Sequence, residues 1–271
     1  MNGTSKFLRS IVVGAAVFTL SILVFIVAYI VIKGVPHLSL SLFSAKYTTD
    51  NISLFPALIN TITITALSLL IAVPLGGGAA IYLVEYSKKG NRFVSLVRIT
   101  AETLSGIPSI VYGLFGYLLF VTSLSWRFSL IAGSFTLAIM ILPVIMRTTE
   151  EALLAVSDTF REGSFALGAG KLRTVFKIVL PSAVPGISAG IILSIGRIVG
   201  ETAALIYTAG TVAQIPENLF GSGRTLSVHL FALWNEGMNV EQSYATAVIL
   251  LVIVAGLNAL SASAAKRMSS T

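Results

Sequence analysis

Six long runs of apolar residues, separated by shorter polar stretches, define the pattern of this chain. They cover about 11–32, 54–83, 99–121, 129–145, 183–209 and 243–264. A helix of about 20 apolar residues is long enough to cross the hydrocarbon core of a bilayer. The pattern therefore predicts an all-α fold, a polytopic membrane bundle of six transmembrane helices that forms one domain over residues 1–271. The first run is expected to be an uncleaved span, because a signal peptide has a shorter apolar core and a small-residue cleavage site.

Composition supports a membrane location and excludes several classes of function. Of the 271 residues, 55% are hydrophobic and 11% are charged, whereas soluble domains carry about 25% charged residues. The mean hydropathy is +0.92. There is no cysteine, which excludes disulfides, thiolate metal sites and cysteine catalysis. The sequence shows no nucleophile–base pair or metal-ligand cluster, so we expect neither an enzyme nor a metal site.

The basic residues predict how the chain is oriented in the membrane. The net charge is +7, but the basic residues occupy short loops beside apolar runs, which favours a topological role over nucleic-acid binding. Thirteen of the 18 Lys and Arg residues fall on the side that holds both termini, and four fall on the other. The positive-inside rule then places both termini in the cytosol of a prokaryotic cell, with the protein in its plasma (inner) membrane.

The fifth run contains charged residues that belong to a polar helix face. Residues recurring at steps of three or four share one face of a helix, and here they are Gly186, Gly190, Ser194, Arg197, Glu201, Ala204 and Thr208. An arginine at the centre of a span is costly and usually faces the bundle interior or a watery path. Glu201 is expected one turn beyond Arg197, within reach of a salt bridge.

Two interpretations of Arg197 and Glu201 remain open. The pair could be a structural staple of the bundle, or it could lie on an anion path, because a guanidinium offers a planar fork of donors suited to phosphate or carboxylate. Arg147, at the end of the fourth run, is a candidate second station on that path, or else a positive-inside anchor. The role of Glu102 stays open.

The longest charged segment lies between the fourth and fifth runs. It alternates charged and apolar residues at helical spacing and is expected to form an ordered loop over 148–182 that either binds a soluble partner or is an ordinary amphipathic loop. Within it, a spaced pattern comprises Glu162, Gly163, Ser164, Gly168, Ile178, Leu180 and Pro181.

This pattern resembles the cytoplasmic coupling loop of ATP-binding-cassette (ABC) importer permeases, E-A-A-x3-G-x9-I-x-L-P. The glutamate, glycine and I-x-L-P agree in identity and spacing, and Gly163 and Ser164 replace the two alanines. The resemblance implies a short helix that docks on an ATP-hydrolysing subunit. It also implies a type I importer permease fold.

Other segments narrow the resemblance to phosphate importer permeases of the PstA type. They are Leu142-Pro-Val-Ile-Met-Arg147, Ser105-Gly-Ile-Pro-Ser-Ile-Val-Tyr-Gly and Arg197-Ile-Val-Gly-Glu-Thr-Ala-Ala-Leu. The resemblance implies roles for Arg147, Arg197 and Glu201 in moving inorganic phosphate. It also implies a second permease of the PstC type, an ATP-binding dimer of the PstB type and a phosphate-binding protein of the PstS type.

The chain carries no G-x-x-x-x-G-K-[ST] phosphate-binding loop. ATP and Mg²⁺ are therefore expected on the partner ATPase, with no cofactor bound by this chain. The alternatives are a permease for sulfate, molybdate or an amino acid, or an ATP-independent carrier or channel.

Overall fold

A computed structural model describes residues 3–48, 51–88, 90–237 and 239–269. The regular secondary structure of that part of the chain is entirely helical, without a β-strand, and the predicted all-α membrane bundle is confirmed. The helices are α1 (Gly3–Gly34), α2 (Phe55–Ile81), α3 (Arg92–Ser105), α4 (Ser109–Gly116), α5 (Leu130–Leu154), α6 (Asp158–Ala166), α7 (Lys171–Thr174), α8 (Leu180–Val199), α9 (Ala203–Ile206), α10 (Leu226–Glu236) and α11 (Val240–Ser269). Two 3₁₀ turns, Val35–His37 and Leu40–Phe43, follow α1. Wider π-helical turns continue three helices: Tyr82–Tyr86 after α2, Tyr117–Ser123 after α4 and Val175–Val179 after α7.

In the described residues, five helical stretches are long and apolar enough to cross a membrane, or six if the bent pair α3–α4 counts as one. The most extensive helix contact joins α2 to α5, and α8 packs against both α5 and α11. By contrast, the most apolar window of α1 is 0% buried within this chain. Its side chains must therefore meet lipid or another protein.

Small residues allow a close helix approach between α5 and α8. A Cβ built on Gly190 would overlap the side chain of Thr148, and one built on Gly186 would lie 2.7 Å from the Cβ of Ala152. In membranes, helices associate through such close packing, because burial from lipid supplies no hydrophobic driving force.

The third apolar run is not one straight helix, contrary to the sequence expectation over 99–121. α3 and α4 meet at an angle of 101°. The residue before a proline is disfavoured in the α conformation, and here Pro108 follows Ile107 at the bend. Glu102 and Gly116 therefore lie on two differently directed helices.

The fourth and fifth runs also end at other residues than the hydrophobic pattern suggested. α5 continues to Leu154 rather than ending near 145, which removes 148–154 from the predicted loop. α8 ends at Val199 rather than near 209, and Gly200 follows as its C-cap. Segment 200–210 contains only the four-residue helix α9. It packs inside the bundle, where Ala204, Leu205 and Ala209 belong to the central hydrophobic core.

Candidate functional site

Arg197 lies in the last turn of α8 and faces a cavity between three helices. The cavity has a volume of about 380 Å³. It is lined by Val144 of α5, by Leu193, Gly196 and Arg197 of α8, and by Val254 and Asn258 of α11. Within the described part of the chain, no carboxylate lies within 4.0 Å of the Arg197 guanidinium and no hydrogen bond to it is formed. Its donors are therefore free for another group.

Glu201 does not form the expected salt bridge with Arg197. An i,i+4 pair requires that the helix continue through both residues, and α8 ends two residues before Glu201. The Glu201 side chain instead accepts a hydrogen bond from the backbone N–H of Ala204, with Oε1 3.1 Å from that nitrogen. Glu201 is 9% exposed, and this hydrogen bond fixes its side chain at the start of α9.

Arg147 lies on α5 in a second, charged cavity of about 350 Å³. Its Nε donates to Oε1 of Glu151 over 3.0 Å. An ion pair between Arg98 of α3 and the buried Glu150 of α5 joins the two helices that line this cavity. Glu102 lines the same cavity. Arg147 and Arg197 thus occupy separate cavities.

Asn258 is a polar residue of the Arg197 cavity that the sequence analysis did not identify. It lines the Arg197 cavity from α11, about sixty residues further along the chain. A polar residue inside an apolar run was an available signal, but the sequence did not indicate which helix it would face.

The α5–α8 segment, residues 155–179, contains most of the predicted coupling loop. α6 carries Glu162, Gly163 and Ser164, and Gly168 makes the turn toward α7 with a φ of +81°. Ile178 lies in the π-helical turn, and Leu180 and Pro181 begin α8. The Ser164 hydroxyl, 4% exposed, is 2.8 Å from the hydroxyl of Thr174 and fixes α6 against α7.

The surface of the α5–α8 segment combines exposed apolar and polar groups. Glu162 is exposed, and the side chain of Leu167 is 90% exposed. An adjacent cavity of about 420 Å³ is lined by Ser164, Leu167, Gly168, Ala169, Arg173, Lys177 and Ile178. Exposed apolar groups beside polar ones are typical of a protein interface.

Hydrogen bonds from the Arg161 side chain connect the α5–α8 segment to the rest of the bundle. Its Nη2 and Nε donate to Oε1 of Glu85, over 2.7 and 3.1 Å, in the π-helical turn after α2. Nη2 also donates to the carbonyl of Leu153 (2.9 Å), and Nη1 donates to that of Val156 (2.7 Å). The sequence analysis did not find this pair, because its members are far apart in the chain.

These features define a multi-pass membrane protein with an arginine-lined cavity between its helices and an ordered, exposed segment between α5 and α8. The family model described as "Binding-protein-dependent transport system inner membrane component" matches residues 72–270. The chain belongs to this family, so it is a permease component of the inner membrane and not itself an enzyme.

Comparison with known proteins gives similar permeases. The chain is 36% identical over 233 residues to the probable ABC transporter permease protein YqgI of Bacillus subtilis, covering 80% of this chain and 79% of the relative. It is 35% identical over 253 residues to the phosphate transport system permease protein PstA of Pasteurella multocida, covering 89% and 87%. It is 37% identical over 209 residues to PstA of Mycobacterium leprae, covering 75% and 67%. The predicted resemblance to PstA-type permeases is confirmed.

Solved ABC importers share the fold. A bacterial alginate ABC transporter crystallised with its periplasmic protein aligns with a TM-score of 0.72 at 16% identity, covering 99% of this chain and 96% of that one. The inward-facing MetNI methionine transporter aligns with a TM-score of 0.61 at 20% identity, covering 79% and 94%. At these identities the likeness concerns the fold alone, and it agrees with the predicted type I importer permease architecture.

Proposed function

We propose that this chain is the PstA-type permease subunit of an ATP-driven importer of inorganic phosphate. The observation that carries the proposal is the Arg197 guanidinium, which lines a cavity between α5, α8 and α11 and has no carboxylate partner among the described residues. The substrate is inferred from the PstA relatives, which match most of the chain.

The chemistry of Arg197 suits a phosphate oxyanion. A guanidinium remains charged and presents a planar fork of donors that matches two phosphate oxygens. Because no side chain of the described residues neutralises it, an arriving anion would find those donors available. Asn258 offers one further donor and acceptor in the same cavity.

Arg147 and Glu201 have different parts in this proposal. Arg147, 62% exposed in its side chain, would be a second station for the anion. Its bond to Glu151 would moderate its charge, and transport requires binding that is weak enough for release. Glu201 would fix the local conformation of segment 200–210, which follows Arg197 in the chain, by accepting the hydrogen bond from the backbone N–H of Ala204.

The energy for import would come from a partner. Moving an anion into an inside-negative cell costs about 2.3 kcal/mol per charge per 100 mV, before any concentration gradient. We place ATP and Mg²⁺ on a PstB-type dimer docked against the α5–α8 segment and the start of α8. Glu162, Gly163 and Gly168 would contact it on one side and Ile178, Leu180 and Pro181 on the other, while the buried Ser164 holds α6 against α7. A PstC-type permease would complete the path, and a PstS-type protein would deliver phosphate.

The test is phosphate uptake by the assembled complex in vesicles, with and without ATP. We expect Arg197→Ala to lower ATP-driven uptake by at least about tenfold, because a hydrogen bond to a charged group is worth about 1.5–3 kcal/mol. Arg197→Lys should recover part of the activity, because it keeps the charge but loses the fork. The control is Arg92→Ala, which changes an exposed arginine of α3.

Three results would contradict the proposal. Unchanged uptake by Arg197→Ala, with the complex still assembled, would remove Arg197 from the path. Uptake of sulfate in preference to phosphate would assign another substrate. Uptake without ATP would indicate a carrier or channel.

A further inference from the structure

We propose that the ion pair between Glu85 and Arg161 is the mechanical linkage that transmits movement of the α5–α8 segment to α2. This inference rests on the proposed function, since it concerns how an ATPase docked on that segment would drive the bundle. It makes Glu85 and Arg161 positioning residues for transport, distinct from the groups that contact substrate or ATP.

Arg161 joins three parts of the fold through one side chain. Nη2 and Nε donate to Oε1 of Glu85 in the π-helical turn after α2. Nη2 and Nη1 donate to the carbonyls of Leu153, in the last turn of α5, and Val156, just beyond it. The backbone of Arg161 itself belongs to α6. A displacement of α6 relative to α2 therefore breaks the two charge-assisted hydrogen bonds between Arg161 and Glu85.

Burial makes this linkage stiff. The side chains of Arg161 and Glu85 are only 14% and 8% exposed. Buried pairs are screened by salt far less than exposed ones, and removing one partner leaves an uncompensated charge. Asp158, which also contacts Arg161, is 83% exposed and contributes a solvent-screened contact by comparison.

A second contact reaches the same π-helical turn. The Lys171 ammonium of α7 lies 5.1 Å from the centre of the Tyr86 ring. Both α6 and α7 thus hold Tyr82–Tyr86, and α2, which precedes this turn, makes the most extensive helix contact of the chain with α5. A wider π-helical turn is a frequent feature of functional positions in helices, and here it carries the acidic partner.

The experiment compares ATP hydrolysis with phosphate uptake in the reconstituted complex. We expect Arg161→Gln to leave the ATPase subunits bound to the permease. The number of phosphate ions transported per ATP hydrolysed should fall at least about fivefold, the lower end of typical coupling between sites. The double variant Arg161→Gln/Glu85→Gln should remain as poorly coupled as Arg161→Gln, because it lacks the ion pair although no buried carboxylate is left without a partner. Recovery of the ratio in the double variant would instead assign the loss to an unpaired buried charge and would overturn the proposal. Asp158→Asn is the matched control and should keep the wild-type ratio.

Glu85→Gln provides the test if Arg161→Gln does not assemble. It removes one charge but leaves Arg161 bound to two backbone carbonyls, and it should also lower the ratio. Wild-type ratios in both single variants would overturn the proposal. So would a parallel loss of assembly, ATP hydrolysis and uptake, since that result indicates a structural role only.

Failure of the proposed function can be told apart from failure of the linkage. A wild-type complex that hydrolyses ATP without moving phosphate would contradict the substrate assignment. The linkage is then measured by stimulation of ATP hydrolysis by the binding protein, which Arg161→Gln should abolish and Asp158→Asn should retain. Equal stimulation in both variants would overturn it.

Discussion

Gly163 and Gly168 lie five residues apart, and they differ in backbone conformation and in local structure. Gly168 has a φ of +81°, a left-handed conformation that side chains with a Cβ disfavour. Gly163 lies within α6, and a Cβ built there would have no atom within 4 Å. Its neighbour Ser164 replaces a small motif residue and gains a hydroxyl contact with Thr174. The structure thus constrains the backbone conformation at Gly168 and leaves room for a Cβ at Gly163.

Alanine substitutions should distinguish the structural requirements at these two glycines. We expect Gly168→Ala to lower the free energy of unfolding by about 1–2 kcal/mol, the cost of a left-handed residue with a Cβ. Gly163→Ala should raise it by up to about 1 kcal/mol, because alanine is the better helix former. Thermal unfolding of the purified complex measures both. Equal effects from the two substitutions would contradict this assignment.

At the scale of helices, the contact between α5 and α8 depends on the absence of side-chain atoms. Gly186 and Gly190 face Ala152 and Thr148 at a separation that admits no Cβ. The small-residue face was visible in the sequence, but the helix that it meets was not. The same contact brings Val144 of α5 beside Arg197 of α8, so helix spacing determines the size of the cavity.

Gly190→Ala should force α5 and α8 apart. Overpacking a well-packed interface costs about 1–3 kcal/mol, so thermal stability should fall. Gly256→Ala on α11 is the control, because a Cβ there would have open space. We expect phosphate uptake to fall with Gly190→Ala as well, since the cavity wall moves. Unchanged stability in a well-assembled Gly190→Ala complex would show that the helices adjust at no cost.

For the whole molecule, the orientation in the membrane is a prediction from the basic residues. The natural chain contains no cysteine, so single cysteines can report it without background. Leu40, in a 3₁₀ turn after α1, is 92% exposed, and Thr159 of α6 is also exposed. The positive-inside rule assigns these two positions to opposite sides of the membrane.

In intact cells, a membrane-impermeant maleimide should label Leu40→Cys and should reach Thr159→Cys only after permeabilisation. The cysteine-free protein is the control for labelling of other proteins. The reverse pattern would place the α5–α8 segment outside the cytosol, where an ATP-driven partner could not dock, and would contradict the proposed assembly.

The sequence by itself determined the membrane class, the all-α fold and the family resemblance. These follow from properties of individual residues and short segments: hydrophobicity decides partition into lipid, and a fixed motif requires particular small residues. Tertiary structure decided the 101° bend between α3 and α4, the end of α8 before Glu201, and the free guanidinium of Arg197. It also paired Arg161 with Glu85, 76 residues away in sequence. Such contacts depend on helix ends, register and spacing, and the hydrophobic pattern does not specify these because every apolar residue partitions into the membrane interior in the same way.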